Sequence, residues 1–150
     1  MSTTAIVQAV QAVVASTVPE ADVVMLGIPK LIPDGELIIY IYHDGSQDLE
    51  KAGPTNVLRT HTIPIHVLLR MSSPDTDQSI ELQLMDLHDR LCGAFYPHHT
   101  LGGISSDVRM GQRDQPRGAA SGAYVFEGTS EYRHRWWTLS ADEQLSFTIS

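Results

Sequence analysis

The side chains with the widest chemical reach in this 150-residue sequence are its seven histidines. His98 and His99 are adjacent, His43 precedes Asp44, and His61 and His66 are separated by four residues. None of these spacings matches a metal-ligand grammar such as H-E-x-x-H on a helix. His61 and His66 fall in an alternating stretch, where an odd separation points two side chains to opposite faces of a strand, so they cannot share a metal. Histidines at the surface or at an interface are expected instead. The single cysteine, Cys92, excludes an intrachain disulfide and any zinc cluster built on several thiolates. It falls inside a helical pattern rather than at a helix N-terminus, where a thiolate would be stabilised, and is expected to be a small buried apolar side chain.

Nucleophile and phosphate motifs are missing as well. There is no G-x-S-x-G. Gly102 and Gly103 precede an extended pattern, not a helix, so they suit a turn with positive φ rather than a phosphate cradle. Asp75 and Asp77, and Asp86 and Asp89, imitate carboxylate pairs, but helix capping and a solvated helix face account for them. The expectation is a chain with no catalytic residue, no metal and no cofactor.

The oddest local feature is Trp136-Trp137, set among Arg133 and Arg135. Consecutive strand residues face opposite ways, so both indoles are buried only if both faces of the sheet are covered. One face can meet helices. The other then wants a partner, and a neighbouring subunit is the simplest one; a ligand-stacking platform is the competing use. The chain holds two lysines against eight arginines, five of them in residues 104–150. Arginine suits planar, weakly hydrated pairing across interfaces, although arginine-rich genome composition has the same effect. Arg109, Arg133, Arg135, Trp136 and Trp137 are therefore the candidate subunit-interface residues.

The elements that must position these residues centre on 60–95. At 61–71 the odd positions (His61, Ile63, Ile65, Val67, Leu69, Met71) are mostly apolar and the even ones mostly polar, which predicts a strand with one face on a core. Ser73, Pro74 and Asp75 then provide an N-cap, a first-turn proline and a dipole-compensating acid. Ile80, Leu84, Leu87, Leu91 and Phe95 follow at spacings of four, three, four and four, an amphipathic helix of about five turns. A first helix is expected over 2–14, with Ile6, Val10, Val13 and Val14 on one stripe and Val18-Pro19 ending it. Residues 23–33 predict a short extended piece with turns, and LIIYIY at 37–42 a central strand buried on both faces or an interface strand.

Residues 43–56 and 113–122 are expected as long loops, the first with an Asp44-Gly45 turn signal. Alternation at 104–112 and 132–139 predicts two more strands, 123–126 another short one, and 145–149 a terminal strand or arm. The expected fold is α+β: two helices packed on one face of a mainly antiparallel four- to six-stranded sheet, element order αββαββ, in a single domain over 1–150.

A chain of this length with a 42% hydrophobic fraction supports one genuine core. No apolar run approaches a bilayer span, and folding in a reducing cytoplasm is expected. A net charge of −8 disfavours general attraction to nucleic acid or anionic lipid.

In order, the sequence has an N-terminal helix, V-x-x-G-x-P-like text at 24–29 and a strand with a following loop. Then come the alternating RTHTIPIHVLLRM, the leucines 84, 87 and 91, Leu-Gly-Gly at 101–103, and a late strand of alternating polar and aromatic residues. This layout, over most of 3–139, resembles the tail terminator, or tail completion, proteins of long-tailed bacteriophages. The resemblance implies a non-enzymatic virion protein assembled in the host cytoplasm. Six copies would form a homohexameric ring on the head-proximal end of the tail tube, stop tube polymerisation and offer the surface for head and neck attachment. Its implied partners are itself, the tail tube protein, the head/neck completion protein, and the tape-measure end or a sheath protein. Genomic DNA would pass through the lumen without specific binding, and no membrane is involved.

Asp44, Gly45, Asp48, Glu50 and Lys51 in the first loop, and Arg113 and Arg117 in the second, are the candidates for ordering against tube or neighbour. Two features depart from the resemblance. Pro64 cannot donate to a ladder, so the strand is an edge there or carries a bulge. Residues 140–150 extend past the matched part as an arm or an added strand. A neck, stopper or tail-tube protein is the near alternative. A small enzyme or metal-binding domain is the distant one, and it would need His, Asp or Glu clustered on one sheet face.

Overall fold

The computed structural model describes residues 2–51, 56–70, 77–97, 100–111 and 132–146. Helix α1 spans Ser2–Thr17, longer than the expected 2–14, and buries Ile6, Val7, Val10 and Val14 on one stripe. Its valines are poor helix formers, so packing on the sheet supplies what propensity does not. The Thr17 hydroxyl donates to the Val13 carbonyl (2.7 Å) and Val18 N–H to Val14 O (2.9 Å) before Pro19 ends the helix. Helix α2 spans Asp77–Phe95 and buries the periodic residues Ile80, Leu84, Leu87, Leu91 and Phe95. Ser73, Pro74, Asp75 and Met71 lie outside the described residues.

Among the described residues six strands follow in order: β1 Val23–Leu26, β2 Leu37–Ile41, β3 Ser46–Lys51, β4 Asn56–Arg70, β5 Asp107–Met110 and β6 Tyr132–Ser146. They form one sheet in the order β1-β2-β4-β6-β5, with β3 paired to β4 off that path. Only β1–β2 is parallel; the other pairings are antiparallel. Both helices pack on one face, against Leu37, Ile39 and Ile41 of β2, Ile63, Ile65, Val67 and Leu69 of β4, and Trp137, Leu139 and Ala141 of β6. The fold is therefore α+β, two helices on a mainly antiparallel sheet.

Three elements differ from expectation. Residues 46–51, read as loop, form β3: Ser46 registers with His61 and Lys51 with Val57, with a bulge between Asp48 and Glu50. The acidic, polar composition hides this strand because it borrows its stability from the long β4 beside it. Strand β6 does not stop at 139 but continues to Ser146, in register with β4 from Arg70↔Tyr132 to Asn56↔Ser146. Residues 140–146 thus extend an intrachain ribbon; the expected short strand 123–126 lies outside the described residues.

The third difference is burial of the even face of β4. Pro64, His66 and Leu68 are buried, not solvated. Leu68 packs with Ile38, Tyr40 and Tyr132 in a second apolar cluster on the face away from the helices.

Pro64 has a specific place. Thr62 N–H donates to Gly45 O (2.9 Å) and Arg70 N–H to Glu36 O (2.8 Å), so even-numbered β4 amides face the β2/β3 side. Register on that side runs from Ile41↔Ile65 to Ser46↔His61, and Pro64 falls in the gap between the end of β2 and the start of β3. The missing N–H is where no ladder partner needs it, which is how proline is tolerated inside a long strand. After α2, Gly102 and Gly103 take φ of 73° and 96° and turn the chain into β5. Among the described residues no helix is long and apolar enough to cross a membrane.

Candidate assembly interface

The five arginine and tryptophan candidates separate into three places. Arg133, Arg135 and Trp137 share the helix-side face of β6. One oxygen of Glu81, on α2, accepts from Arg133 Nη1 at 2.7 Å and from Arg135 Nη2 at 2.6 Å. The arginines thus clamp α2 to β6 within the subunit. Trp137, 4% exposed, stacks on His88 of α2 (4.9 Å between centroids, 27°) and belongs to the main core. Trp136, on the opposite face, is also buried, at 6% exposure. Arg109 stands apart at the β5 edge. The candidates do not form one patch.

At that edge Arg109 donates to both carboxylate oxygens of Asp142 (2.6 and 3.1 Å) and to Asp107 (2.9 Å). Thr60 also donates to Asp142, at 2.7 Å, and the Ser105 hydroxyl donates to the Asp142 carbonyl at 2.6 Å. The Arg109 guanidinium holds the Asp142 carboxyl below its ordinary range against the opposing effect of burial, and the Thr60 hydroxyl adds to this. Arg109 is itself held charged by Asp142 and then Asp107. Charge-assisted bidentate pairs of this kind are the stronger class of hydrogen bond. Arg109 is about half exposed, so solvent screening limits the loss, and Arg109→Ala is expected to lower stability by about 1 kcal/mol. A denaturant-unfolding cycle with Asp142→Asn checks it: near-additive losses would mean the two groups act separately.

The loop candidates also resolve. Asp44 N–H donates to Thr62 O (2.8 Å) and Gly45 O accepts from Thr62, so the Asp44-Gly45 turn is stitched to β4 in the gap opposite Pro64. Asp48 pairs with Arg59 at 2.8 Å, and that guanidinium lowers its pKa. Glu50 and Lys51 lie in β3, opposite Leu58 and Val57. Arg113, Arg117, His98 and His99 lie outside the described residues.

Two polar networks escape any reading of spacing alone. On the helix-side face, His43 Nε2 meets His61 Nδ1 at 3.0 Å, and His61 Nε2 meets Glu143 Oε1 at 2.9 Å. His61 thus joins His43 to the Glu143 carboxyl group through its two ring nitrogens. His43 Nδ1 then accepts from Gly45 N–H at 3.4 Å. Every ring nitrogen has a role, and burial followed by the neighbouring His61 pushes the His43 pKa down.

On the opposite face, register sets Tyr40, His66 and Trp136 in one row across β2, β4 and β6. Their rings stack, Tyr40 on His66 at 4.5 Å and His66 on Trp136 at 5.0 Å. His66 Nδ1 lies 2.7 Å from His134 Nε2, and its Nε2 lies 3.3 Å from the Tyr42 hydroxyl. Burial depresses His66 to about 3, with His134 adding to the effect, and burial depresses His134 to about 4. Both rings are neutral hydrogen-bonding spacers at neutral pH. Alternation alone had marked His66 as a polar-face residue; only the cross-strand register reveals its aromatic neighbours.

Cys92 is half-buried and close to His88 (3.5 Å), and burial pushes its thiol pKa up, which disfavours the reactive thiolate. Among the described residues no group of three His, Cys, Asp or Glu side chains is arranged to hold a metal ion. Exposed large apolar side chains among the described residues are Leu26 at the end of β1, Ile28 and Leu31 after it, Leu82 and Met85 on α2, and Tyr96 and Ile104 beyond it. A groove of about 550 Å³ runs between the C-terminal end of α2 and β5.

Compared with protein-family models and with curated proteins, the sequence matches none. Among solved structures the fold is similar to that of the sheath/tube terminator of an extracellular contractile injection system (PVC), determined in the extended state. The similarity has a TM-score of 0.56 at 11% identity and covers 95% of this chain. The chain spans 57% of the length of that terminator.

Proposed function

We propose that this chain is a structural tail-terminator subunit that forms a homohexameric ring. The ring closes the head-proximal end of a tail tube, stops tube polymerisation and offers the surface to which a head or neck, or a sheath end, attaches. The observation that carries the reading is the fold match over 95% of the chain to a sheath/tube terminator. The organisation of the subunit supports it. Many of its described ionisable side chains are taken up in structural pairs, such as Glu81 with Arg133 and Arg135, and Asp142 with Arg109. That is the chemistry of a rigid building block, and no enzymatic role is proposed. A net charge of −8 suits a lumen through which DNA passes without adhering. The proposed setting is the tail of a phage or of a related injection device, assembled in the host cytoplasm, with tube, neck and sheath or tape-measure proteins as partners.

The test is molar mass by light scattering over a wide concentration range, with negative-stain imaging and with tube ends added. Closed rings of six copies, forming alone or on tube tips and halting tube growth, are the expected result. Long tubes of this chain alone would identify a tube protein instead. A monomer that ignores tube ends would remove the proposal.

A further inference from the structure

Loop 27–36 joins β1 to β2 and carries the most exposed aliphatic side chain of the described residues: Leu31 is 85% exposed and Ile28, three positions earlier, 47%. The loop is not slack. Gly27 N–H donates to Ile41 O at 2.7 Å as the chain leaves β1. At the other end the Asp22 carboxylate accepts from the amides of Glu36 (2.7 Å) and Leu37 (3.1 Å), and Tyr132 donates to Gly35 O at 2.8 Å. Pro29 is buried and Ile32 packs on the second apolar cluster, so between these anchors Ile28, Lys30 and Leu31 are held outward. A tethered loop with two prolines has already lost much of its freedom, which lowers the entropy spent when a partner covers it. Isolated exposed leucines are ordinary, whereas two apolar side chains held outward on an anchored loop form a small patch that a partner can cover.

The matching hollow lies at the other edge of the sheet. Cys92, Phe95 and Tyr96 at the end of α2 and Val108 and Met110 of β5 line the 550 Å³ groove. Among the described residues Lys30 has no carboxylate partner. The groove lining holds Asp107 and Arg109, and Arg109 is shared with Asp142, so with exposed Asp89 one turn before Cys92 on α2 three carboxylates stand against one guanidinium. Strand order sets β1 and β5 at opposite ends of the sheet. A knob on one edge and a groove with complementary charge on the other define a head-to-tail contact between copies, the heterologous kind that closes into rings when the rotation allows.

We infer that loop 27–36 of one copy seats Ile28 and Leu31 in the α2–β5 groove of the next, with Lys30 against its acidic rim. The inference rests on the ring-forming reading and names the surfaces that make the ring. Native Cys92 in the groove supplies the probe, labelled at mildly alkaline pH to offset the raised pKa of its thiol. Leu31→Cys, a change at an exposed position, treated with a short bis-maleimide, is expected to give a ladder of covalent oligomers that ends at six. Adding Cys92→Ser should abolish it. In parallel, Leu31→Asp and Tyr96→Asp, both at 85% exposed positions, should each weaken self-association on the order of tenfold or more, as for a central interface residue, without moving the unfolding midpoint. Mixed together, these two variants retain one good knob and one good groove, and should form dimers and nothing larger.

Wild-type rings that survive both substitutions, or a Leu31→Cys chain that stays monomeric on cross-linking while wild type assembles, would overturn this contact and leave the ring reading standing. A ladder that stops at two would mean a symmetric pair and overturn it as well. A wild-type chain that remains monomeric with and without tube ends would overturn both.

Discussion

Trp137→Ala is expected to lower the unfolding free energy by about 3–5 kcal/mol, the range for removing a large aromatic side chain from a packed core. Its main effect falls on folding rather than on association. Trp137 is 4% exposed and sits in the helix-side core with Leu139 and Ala141. Its indole lies on the His88 ring, with Leu84, Met85 and Arg135 around it. Sequence reasoning assigned both Trp137 and Arg135 to a subunit contact, and the geometry separates them. Arg135 is the second of two guanidiniums on Glu81, so Arg135→Ala leaves Arg133 on the same oxygen, 2.7 Å away. A half-exposed pair of this kind is worth about 1 kcal/mol or less. Denaturant unfolding of the two variants with an unchanged m-value measures the difference. A Trp137→Ala protein whose midpoint matches wild type would mean the indole is not in the core.

That contrast shows what was legible in the chain and what was not. Periodicity identifies an element when one face is apolar and the other is not, and α2 satisfies this: each of Ile80, Leu84, Leu87, Leu91 and Phe95 is buried. LIIYIY suits a strand covered on both faces or one at an interface, and Leu37–Ile41 is covered on both faces within the subunit. Strand β3 was not readable, since Ser46–Lys51 (SQDLEK) has no apolar alternation and is held by backbone pairing to β4. The polar-looking even face of β4 misled for a different reason. Histidine scores as polar, yet a neutral imidazole with both nitrogens bonded is buried at small cost, and His66 sits at 1% exposure between Tyr40 and Trp136. The cover expected for Trp136 comes partly from rings of its own sheet. Register is a long-range property: His61 meets Glu143 because β4 and β6 align over fifteen residues each, which no local window contains. The knob and groove were hidden for the same reason, because opposite sheet edges exist only once strand order does.

The same buried histidines set the acid behaviour of the protein. His66 and His134 are held at about 3 and about 4, below the ordinary 6.5, chiefly because burial penalises the charged ring. The unfolded chain therefore binds more protons than the folded one at pH values below about 6.5 and above the folded pKa values, and in that window stability rises with pH. Their contribution is fully present above pH 6.5 and is lost as the pH falls towards 4 and then 3. Each histidine in its window supplies a slope of about 1.4 kcal/mol per pH unit, so the pair removes about 5 kcal/mol between about pH 6.5 and about 4.5, comparable with the lower end of ordinary domain stability.

Carboxylates act in a lower window. Glu20 is lowered to about 2 by Arg90, and Asp142 is lowered by Arg109, so their stabilisation persists until the pH drops below about 4.5. Titrating the unfolding free energy from pH 8 to 4 separates the two sets. Wild type should decline from about pH 6.5, and His66→Gln, which keeps hydrogen-bonding capacity but cannot titrate, should flatten the upper part of the curve by about half. A wild-type curve level down to pH 4.5, or a His66→Gln curve as steep as wild type, would show that the ring row takes up protons without opening. His66 would then not be locked in its neutral form by the stack of Tyr40 and Trp136.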